Sequence, residues 1–471
     1  MPGTSFAASD IGWLAKRAPS YRDVVTRPAP IPAPWGVRRR TRRPLVLVEA
    51  ATLLSGTGNG VALVALPWLV LERTGSPVAA GVLAAATAIP LLGSSLFSGT
   101  VVDIVGRRRT AVVSDALSGL SVAAIPVVDA TVGLTMPALV ALAVLGAVFD
   151  PAGVTARETL VPAASHAAGW RLERANSVHE AVWGMAFLVG PGVGGVLIAT
   201  VGAVGTLWVT AGGFALSLVM VVLVRLPGAD TPLPHDRPAG IWRGTLEGLA
   251  FVWRDRLLRS IALVTVAVVA VYLPIEAVVL PTYFVDAGAP ARLGAVVMAM
   301  SAGGVVGAIA YGACGHLVSR RTAFVVALVG ACLAVLGMAV LPPFPALLGF
   351  AAATGLLYGP IDPLANYAMQ TRTPERLRGR VVGVMTSAEY AAGPAGYLLA
   401  GPVVEGLGPE TAFLVLAVLL LAVGVAAVPL RALALLDDEP LYPPSPEAGT
   451  LPPGRGPLPL GEQSVPPPFF P

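Results

Sequence analysis

Charge is what this sequence has least of. Of 471 residues only 58 are ionised at neutral pH, 31 Lys and Arg plus 27 Asp and Glu, about half the share of a soluble globular protein. So few charges cannot cover the surface of a water-soluble enzyme, and that class is excluded. Cysteine is nearly absent: Cys314 and Cys332 both lie in apolar runs and cannot staple a secreted disulfide scaffold. The four histidines, His166, His179, His235 and His316, fall at no metal-ligand spacing with the cysteines or one another. No G-x-x-x-x-G-K-[ST] loop exists to drive a pump with ATP, and no serine sits in a G-x-S-x-G elbow. Neither an enzyme, a metal nor a cofactor is expected.

What is abundant is apolar sequence, 55% of the chain. From Pro44 to Arg431 it falls into twelve stretches, 45–71, 77–99, 110–129, 136–155, 177–199, 203–225, 260–284, 291–313, 322–341, 345–368, 381–403 and 410–431. Each is close to the 20 or so residues that carry a helix across a hydrocarbon core roughly 30 Å thick. A barrel would alternate apolar and polar positions, and these runs are apolar on every face. The expectation is an all-α membrane protein of twelve transmembrane helices, multi-pass in the cell membrane.

If the segment before Pro44 is cytoplasmic, 29 of the 31 basic residues lie on that side, and only Arg73 and Arg292 lie outside. That asymmetry places both termini in the cytoplasm. The net charge of +4 sits in juxtamembrane arginines such as Arg38, Arg39, Arg40, Arg42 and Arg43, so it signals lipid rather than nucleic acid. Residues 1–43 lack a cleavable apolar leader and read as a disordered tail. Residues 432–471, with twelve prolines in forty positions, read as a second one.

The halves echo each other. Gly75, Pro77, Gly81 and Gly99 recur as Gly288, Pro290, Gly294 and Gly312, offset by 213. Asp150-Pro151 recurs as Asp362-Pro363, and Gly190-Pro191 as Gly393-Pro394. The order holds while the offset drifts slowly, as in a duplication, so residues 44–225 and 260–431 are expected to form two pseudo-symmetric six-helix bundles that rock about a midplane site. The connection, 226–259, places Trp242, Leu246, Leu249, Trp253 and Leu257 at near-helical spacing, an amphipathic helix expected along the cytoplasmic face.

Between the second and third runs stands Gly99-Thr-Val-Val-Asp103-Ile-Val-Gly106-Arg107-Arg108-Arg109. It resembles the loop signature G-x-x-x-D-x-x-G-R-[RK] of the major facilitator superfamily. The resemblance implies a cytoplasmic gate built on Gly99, Asp103, Gly106, Arg107 and Arg108. Gly106 permits a tight turn, and Asp103 can accept from helix N-terminal donors or arginine. The echo at Gly312 is degenerate, with His316 and Ser319 where Asp103 and Gly106 stand. In the fifth run, Gly190, Pro191, Gly194 and Gly195 resemble the G-P-x-x-G-G element of the superfamily's exporters. Gly303, Gly304 and Gly307 in the eighth run are expected to face it as a sliding contact between halves. With Arg174-Ala175-Asn176 and Arg378-Gly379-Arg380, the chain over 44–431 looks like the proton-driven branch containing enterobactin exporters and macrolide efflux proteins.

A carboxylate at a helix centre costs roughly 2.5–3.5 kcal/mol on insertion scales, so it is a functional candidate by default. Glu276 lies deep in the seventh run, Glu389 in the eleventh and Asn59 in the first. These are the candidate proton-coupling and substrate-contacting residues. Glu49, Asp115 and Glu180 lie nearer the cytoplasmic ends, where snorkelling or capping would suffice, and His179-Glu180 reads as a surface pair. The expected function is proton-coupled efflux of a small amphiphilic compound by alternating access, with protons, substrate and the bilayer as partners. One chain holds both halves and is expected to work as a monomer. An importer or uncoupled facilitator is the alternative, and a transport-inactive sensor acting through its tails the third reading. Trp183, Phe187, Tyr390 and Tyr397 are the aromatic candidates for the cavity.

Overall fold

Inside a bilayer each backbone N–H and C=O must find its partner within the protein, and long apolar runs meet that demand as helices. The computed structural model describes residues 41–227, 241–374, 377–439 and 441–442, and no β-strand occurs among them. The N-terminal tail up to residue 40, the start of the linker (228–240) and residues 443–471 of the second tail lie outside the described residues.

The first half comprises α1 (Arg43–Thr74), α2 (Pro77–Val105), α3 (Arg107–Thr131), α4 (Met136–Ala168) and α5 (Leu172–Leu223). After the linker helix α6 (Ile241–Arg254) come α7 (Arg256–Pro274), α8 (Leu280–Asp286), α9 (Pro290–Cys314) and α10 (Arg320–Ala339). The second half is completed by α11 (Phe344–Tyr358), α12 (Ile361–Arg372), α13 (Arg378–Leu407) and α14 (Pro409–Ala427). A π-helical turn, Ile275–Val279, joins α7 to α8. Among the described residues, ten helical stretches are long and apolar enough to cross a membrane.

Corners are set by local chemistry. Gly75 ends α1 at φ 63°, and the Ser76 hydroxyl caps α2 by accepting from the Ala79 N–H at 3.3 Å, with Pro77 in the first helical position. The 52 residues of α5 would span about 78 Å as one rod. Gly202, at φ 75° and ψ 170°, breaks the helix instead.

Small residues decide which helices meet. A Cβ on Gly190 would stand 2.8 Å from the Gly60 Cα, and one on Gly194 would stand 3.2 Å from the Val61 Cα, so α5 lies flush along α1. Gly195 meets the other half: its Cβ would be 3.0 Å from the Gly294 Cα on α9. The matching seam joins α2 and α13, where a Cβ on Gly81 would be 2.5 Å from the Tyr397 carbonyl and one on Gly401 would be 2.7 Å from the Val78 Cα. Ser76 also donates to Glu405 at 3.4 Å. All these contacts between halves lie at the end carrying the Gly75 and Gly288 corners, opposite the arginine-rich end.

The expectation for the eighth run is corrected here. The α5–α9 seam uses Gly294 and Met298, whereas Gly303 and Gly307 pack on the Ala352 and Leu356 backbone of α11, within the second half. The helices α5 and α9 do meet, through Gly192, Gly195, Gly294 and Met298 rather than through Gly303, Gly304 and Gly307. In the linker helix, Gly248 and Val252 are buried, and Leu246, Leu249 and Trp253 are exposed, as an interfacial helix requires. Leu257 is not part of that face: Asp255 caps α7 by accepting from the Leu258 N–H at 2.9 Å, and Leu257 is buried at its start. Nor does the fold stop at 431, since Arg431–Leu436 is a 3-10 helix with Leu433 and Leu436 buried.

Candidate functional site

Asn59, Glu276 and Glu389, the residues expected at the midplane, each stand among polar partners, and each half supplies different chemistry. On the first half, Asn59 of α1 donates to Asp150 of α4 through Nδ2 and Oδ1 at 2.8 Å. On the second, Glu276 stands in the π-helical turn that follows Pro274. Such turns shift the register of side chains and are frequent at functional positions. Tyr272 and Tyr397 lie close enough to Glu276 for their charges to interact.

Glu389 of α13 is half-buried and in electrostatic reach of Asp362, Tyr358 and Tyr390. Tyr358 in turn lies against Tyr272, ring centroids 6.3 Å apart and planes within 8°. Tyr390 is in electrostatic reach of both Glu389 and Asp150, one on each half. The result is a set of carboxylates and tyrosines in electrostatic reach of one another. Chemically, it can hold protons on its acids and receive a cationic or amphiphilic guest between ring faces and carboxylates.

Sequence reasoning missed the buried polar network of the first half. Arg157, counted among the basic loop residues, is buried in α4 and donates to Asp115 at 2.7 Å and to the Ser55 hydroxyl at 3.0 Å. The Ser217 hydroxyl lies 2.7 Å from the other Asp115 oxygen and 3.0 Å from the Ala51 carbonyl, and its single proton serves one of them at a time. Four helical segments are joined this way. Asp115 therefore neither snorkels nor caps. Glu49 is likewise buried and paired with His179 at 3.0 Å, so the partner of His179 is on α1 rather than the adjacent Glu180.

The loop signature of the second and third helices makes a tight corner at Gly106. Gly106 adopts φ 98°, a conformation that L side chains avoid, and sets the corner between α2 and α3. Asp103 is half-buried in the last turn of α2, Gly99 lies on the same helix, and Arg107 opens α3. Arg108 donates to the carbonyls of Val221 and Val222 at the end of α5, a contact inside the first half. Trp183 and Phe187 pack on each other at 5.0 Å along α5, and Trp183 lies near Gly56 of α1. Among the described residues no group of acidic, histidine or cysteine side chains could hold a metal ion.

Comparisons with known proteins agree with this architecture. The profile of the Major Facilitator Superfamily matches residues 49–396 and, overlapping, 277–470. The multidrug efflux pump Tap of Mycolicibacterium fortuitum is 46% identical over 399 residues, covering 84% of this chain and 98% of the relative. Tap of Mycobacterium tuberculosis is also 46% identical, over 407 residues, 86% of this chain and 97% of that one. The enterobactin exporter EntS of Salmonella choleraesuis is 27% identical over 77% of this chain and 84% of its own length. Among solved structures, a variant of the nucleoside transporter NupG superposes with a TM-score of 0.70 at 12% identity, covering 82% of this chain and all of that one. A bacterial homologue of the lysosomal transporter Spinster, captured inward-facing and unoccupied, gives 0.63 at 12% identity over 85% and 98%. At such identities the structures speak for the fold alone.

Proposed function

The chain belongs to the Major Facilitator Superfamily, a family of membrane transporters rather than enzymes, and on that premise we propose that it is a proton-coupled exporter of small amphiphilic compounds. The likeness to multidrug efflux pumps supports the direction and the breadth of substrate. The observation that supports the coupling is the group of acids set among tyrosines, Glu276 in its π-helical turn and Glu389 in reach of Asp362, and the proposed substrate cleft lies along it.

The proposed membrane topology has twelve crossings. The Gly202 break divides α5 into two, and α13, at 30 residues, is long enough to cross although Glu389 and two arginines dilute it. Bundles 44–225 and 260–431 then face each other with both termini in the cytoplasm. The glycine seams lie at the outer end, which supports an inward-facing state. Protonation of Glu276 or Glu389 from outside would favour that state. Substrate entering the cleft displaces the proton, the outer seams part, and the Gly99–Arg108 loop closes the cytoplasmic end. One chain contains everything this cycle needs.

The test is uptake of ethidium into inverted vesicles carrying a proton gradient. A coupling free energy of 1–3 kcal/mol between proton and substrate corresponds to about 5- to 150-fold in substrate affinity, and Glu389→Gln and Glu276→Gln should each sharply reduce gradient-driven uptake. If both variants kept gradient-driven uptake at the wild-type rate and normal protein level, the coupling assignment would be wrong. Counterflow indifferent to the gradient would instead mark an uncoupled facilitator.

A further inference from the structure

Each half starts its third membrane helix at an arginine-rich corner, and the two corners are closed by different parts. In the first half Arg108 reaches the carbonyls of Val221 and Val222. In the second half the loop has lost its acid, with His316 in the place of Asp103. A carboxylate stands there all the same. It is Asp437, 117 residues further on, whose Oδ1 accepts from the Arg320 N–H at 2.7 Å and lies 3.3 Å from the Arg321 nitrogen. The Ser319 hydroxyl accepts from the Thr322 N–H at 3.2 Å, so the first turn of α10 is satisfied from two sides.

The segment bearing Asp437 is held along its length. Leu433 and Leu436 are buried, and the Leu435 carbonyl accepts from Arg372 Nη2 at 2.8 Å. Asp438 stands 3.6 Å from the same guanidinium, and the Tyr442 N–H donates to the Thr371 carbonyl at 3.0 Å. The Arg320 guanidinium covers the Tyr367 ring at 4.2 Å. The segment thus ties the start of α10 to the end of α12, and α12 carries Asp362 of the proposed cleft.

We propose that residues 431–442 form an intramolecular strap across the cytoplasmic face of the second half, in which Asp437 supplies the carboxylate missing from the loop at 312–321. Asp437 is a positioning residue: it keeps α10 and α12 moving as one body while the halves rock. The transport side of this rests on the exporter reading above; the strap itself does not.

Two readouts separate them. In purified full-length protein, trypsin cleavage after Arg320 and Arg321 should run about fivefold faster in Asp437→Ala, the order of effect of a lost helix cap. Asp437→Glu should stay near wild type, and adding His316→Asp to Asp437→Ala should restore protection. Ethidium efflux at matched protein level should follow the same order, and truncation after Tyr442 should leave both readouts unchanged. Equal cleavage in wild type and Asp437→Ala, or failure of His316→Asp to restore protection, overturns the strap. A wild-type protein that is protected by the strap but moves no ethidium overturns the exporter reading instead.

Discussion

The two halves share a fold and differ in what they bury. At the 212-residue offset that relates Asp150 to Asp362, Arg157 corresponds to Met369. Asp115 corresponds to Leu328 at an offset of 213, and Ser55 falls on Val268 or Val269 at 213 or 214. Taking Gly202 and Gly408 as equivalent, Ser217 corresponds to Val423. The buried ion pair and hydroxyls of the first half are thus all replaced by apolar side chains in the second. The reverse holds at the proposed cleft, where Glu389 answers to Ala186 and Glu276 to Ala62 or Leu63. One half buries a charged pair, Arg157 and Asp115, inside its own bundle. The other carries Glu276 and Glu389, which form no ion pair among the described residues, at positions where the first half has apolar side chains. A rigid frame and a responsive face are a sensible division for a rocking machine.

The largest effect follows from breaking the frame. Arg157 and Asp115 are 1% and 2% exposed, and removing one partner of so buried a pair costs about 3–5 kcal/mol because the other charge is stranded. Arg157→Met alone should sharply lower the yield and melting temperature of detergent-purified protein. Copying the second half in full, with Arg157→Met, Asp115→Leu, Ser55→Val and Ser217→Val together, should recover most of that loss, since apolar replacement of a whole buried pair is often neutral. If the quadruple variant melts as low as the single one, the halves are not interchangeable solutions to one packing problem.

The glycine contacts sharpen the same contrast. A side chain at Gly303 would meet the Ala352 carbonyl at 2.0 Å within the second half, whatever state the transporter is in. One at Gly195 would meet the Pro290 carbonyl at 2.6 Å, a contact across the halves. Overpacking costs about 1–3 kcal/mol. Gly303→Val should spend it on the fold, lowering melting temperature. Gly195→Val should instead move the balance of states, with normal melting and raised reagent access to cysteines placed at the outer end. Equal losses of melting temperature would mean the outer seam is permanent.

These contrasts also show what the sequence could and could not reveal. Long apolar runs have only one backbone solution in lipid, so the helices were legible, down to the break between 199 and 203 that Gly202 makes. Glu276 and Glu389 stand out in the sequence because a carboxylate within an apolar run is costly in lipid. Arg157 does not, because the fourth apolar run ends at 155 while α4 continues to Ala168, and a charge just past an apolar run looks like a loop residue. Its signal lay in complementary charges on neighbouring helices, Asp115 and Arg157, which only packing brings together. Met298 opposite Gly192 and the π-helical register at Glu276 depend on helix rotation, which periodicity in an all-apolar segment does not encode. The strap was hidden by composition: a proline-rich tail masks the short Leu433–Leu436 anchor at its start.

The smallest effect tests whether the halves are repeats at the level of backbone. Gly202 and Gly408 adopt φ 75° and 78° with ψ 170° and 158°. A Cβ on either would touch nothing within 4 Å. Side-chain collision therefore plays no part, and alanine at each position is opposed only by a positive-φ, extended backbone that is nearly exclusive to glycine, at about 1–3 kcal/mol. Gly202→Ala and Gly408→Ala should each lower the melting temperature by similar small amounts, and the double variant by their sum, because the two corners share no neighbours. A large loss at one corner and none at the other would show that the equivalence of Gly202 with Gly408 is one of position only, and the assignment of Ser217 to Val423 would fall with it.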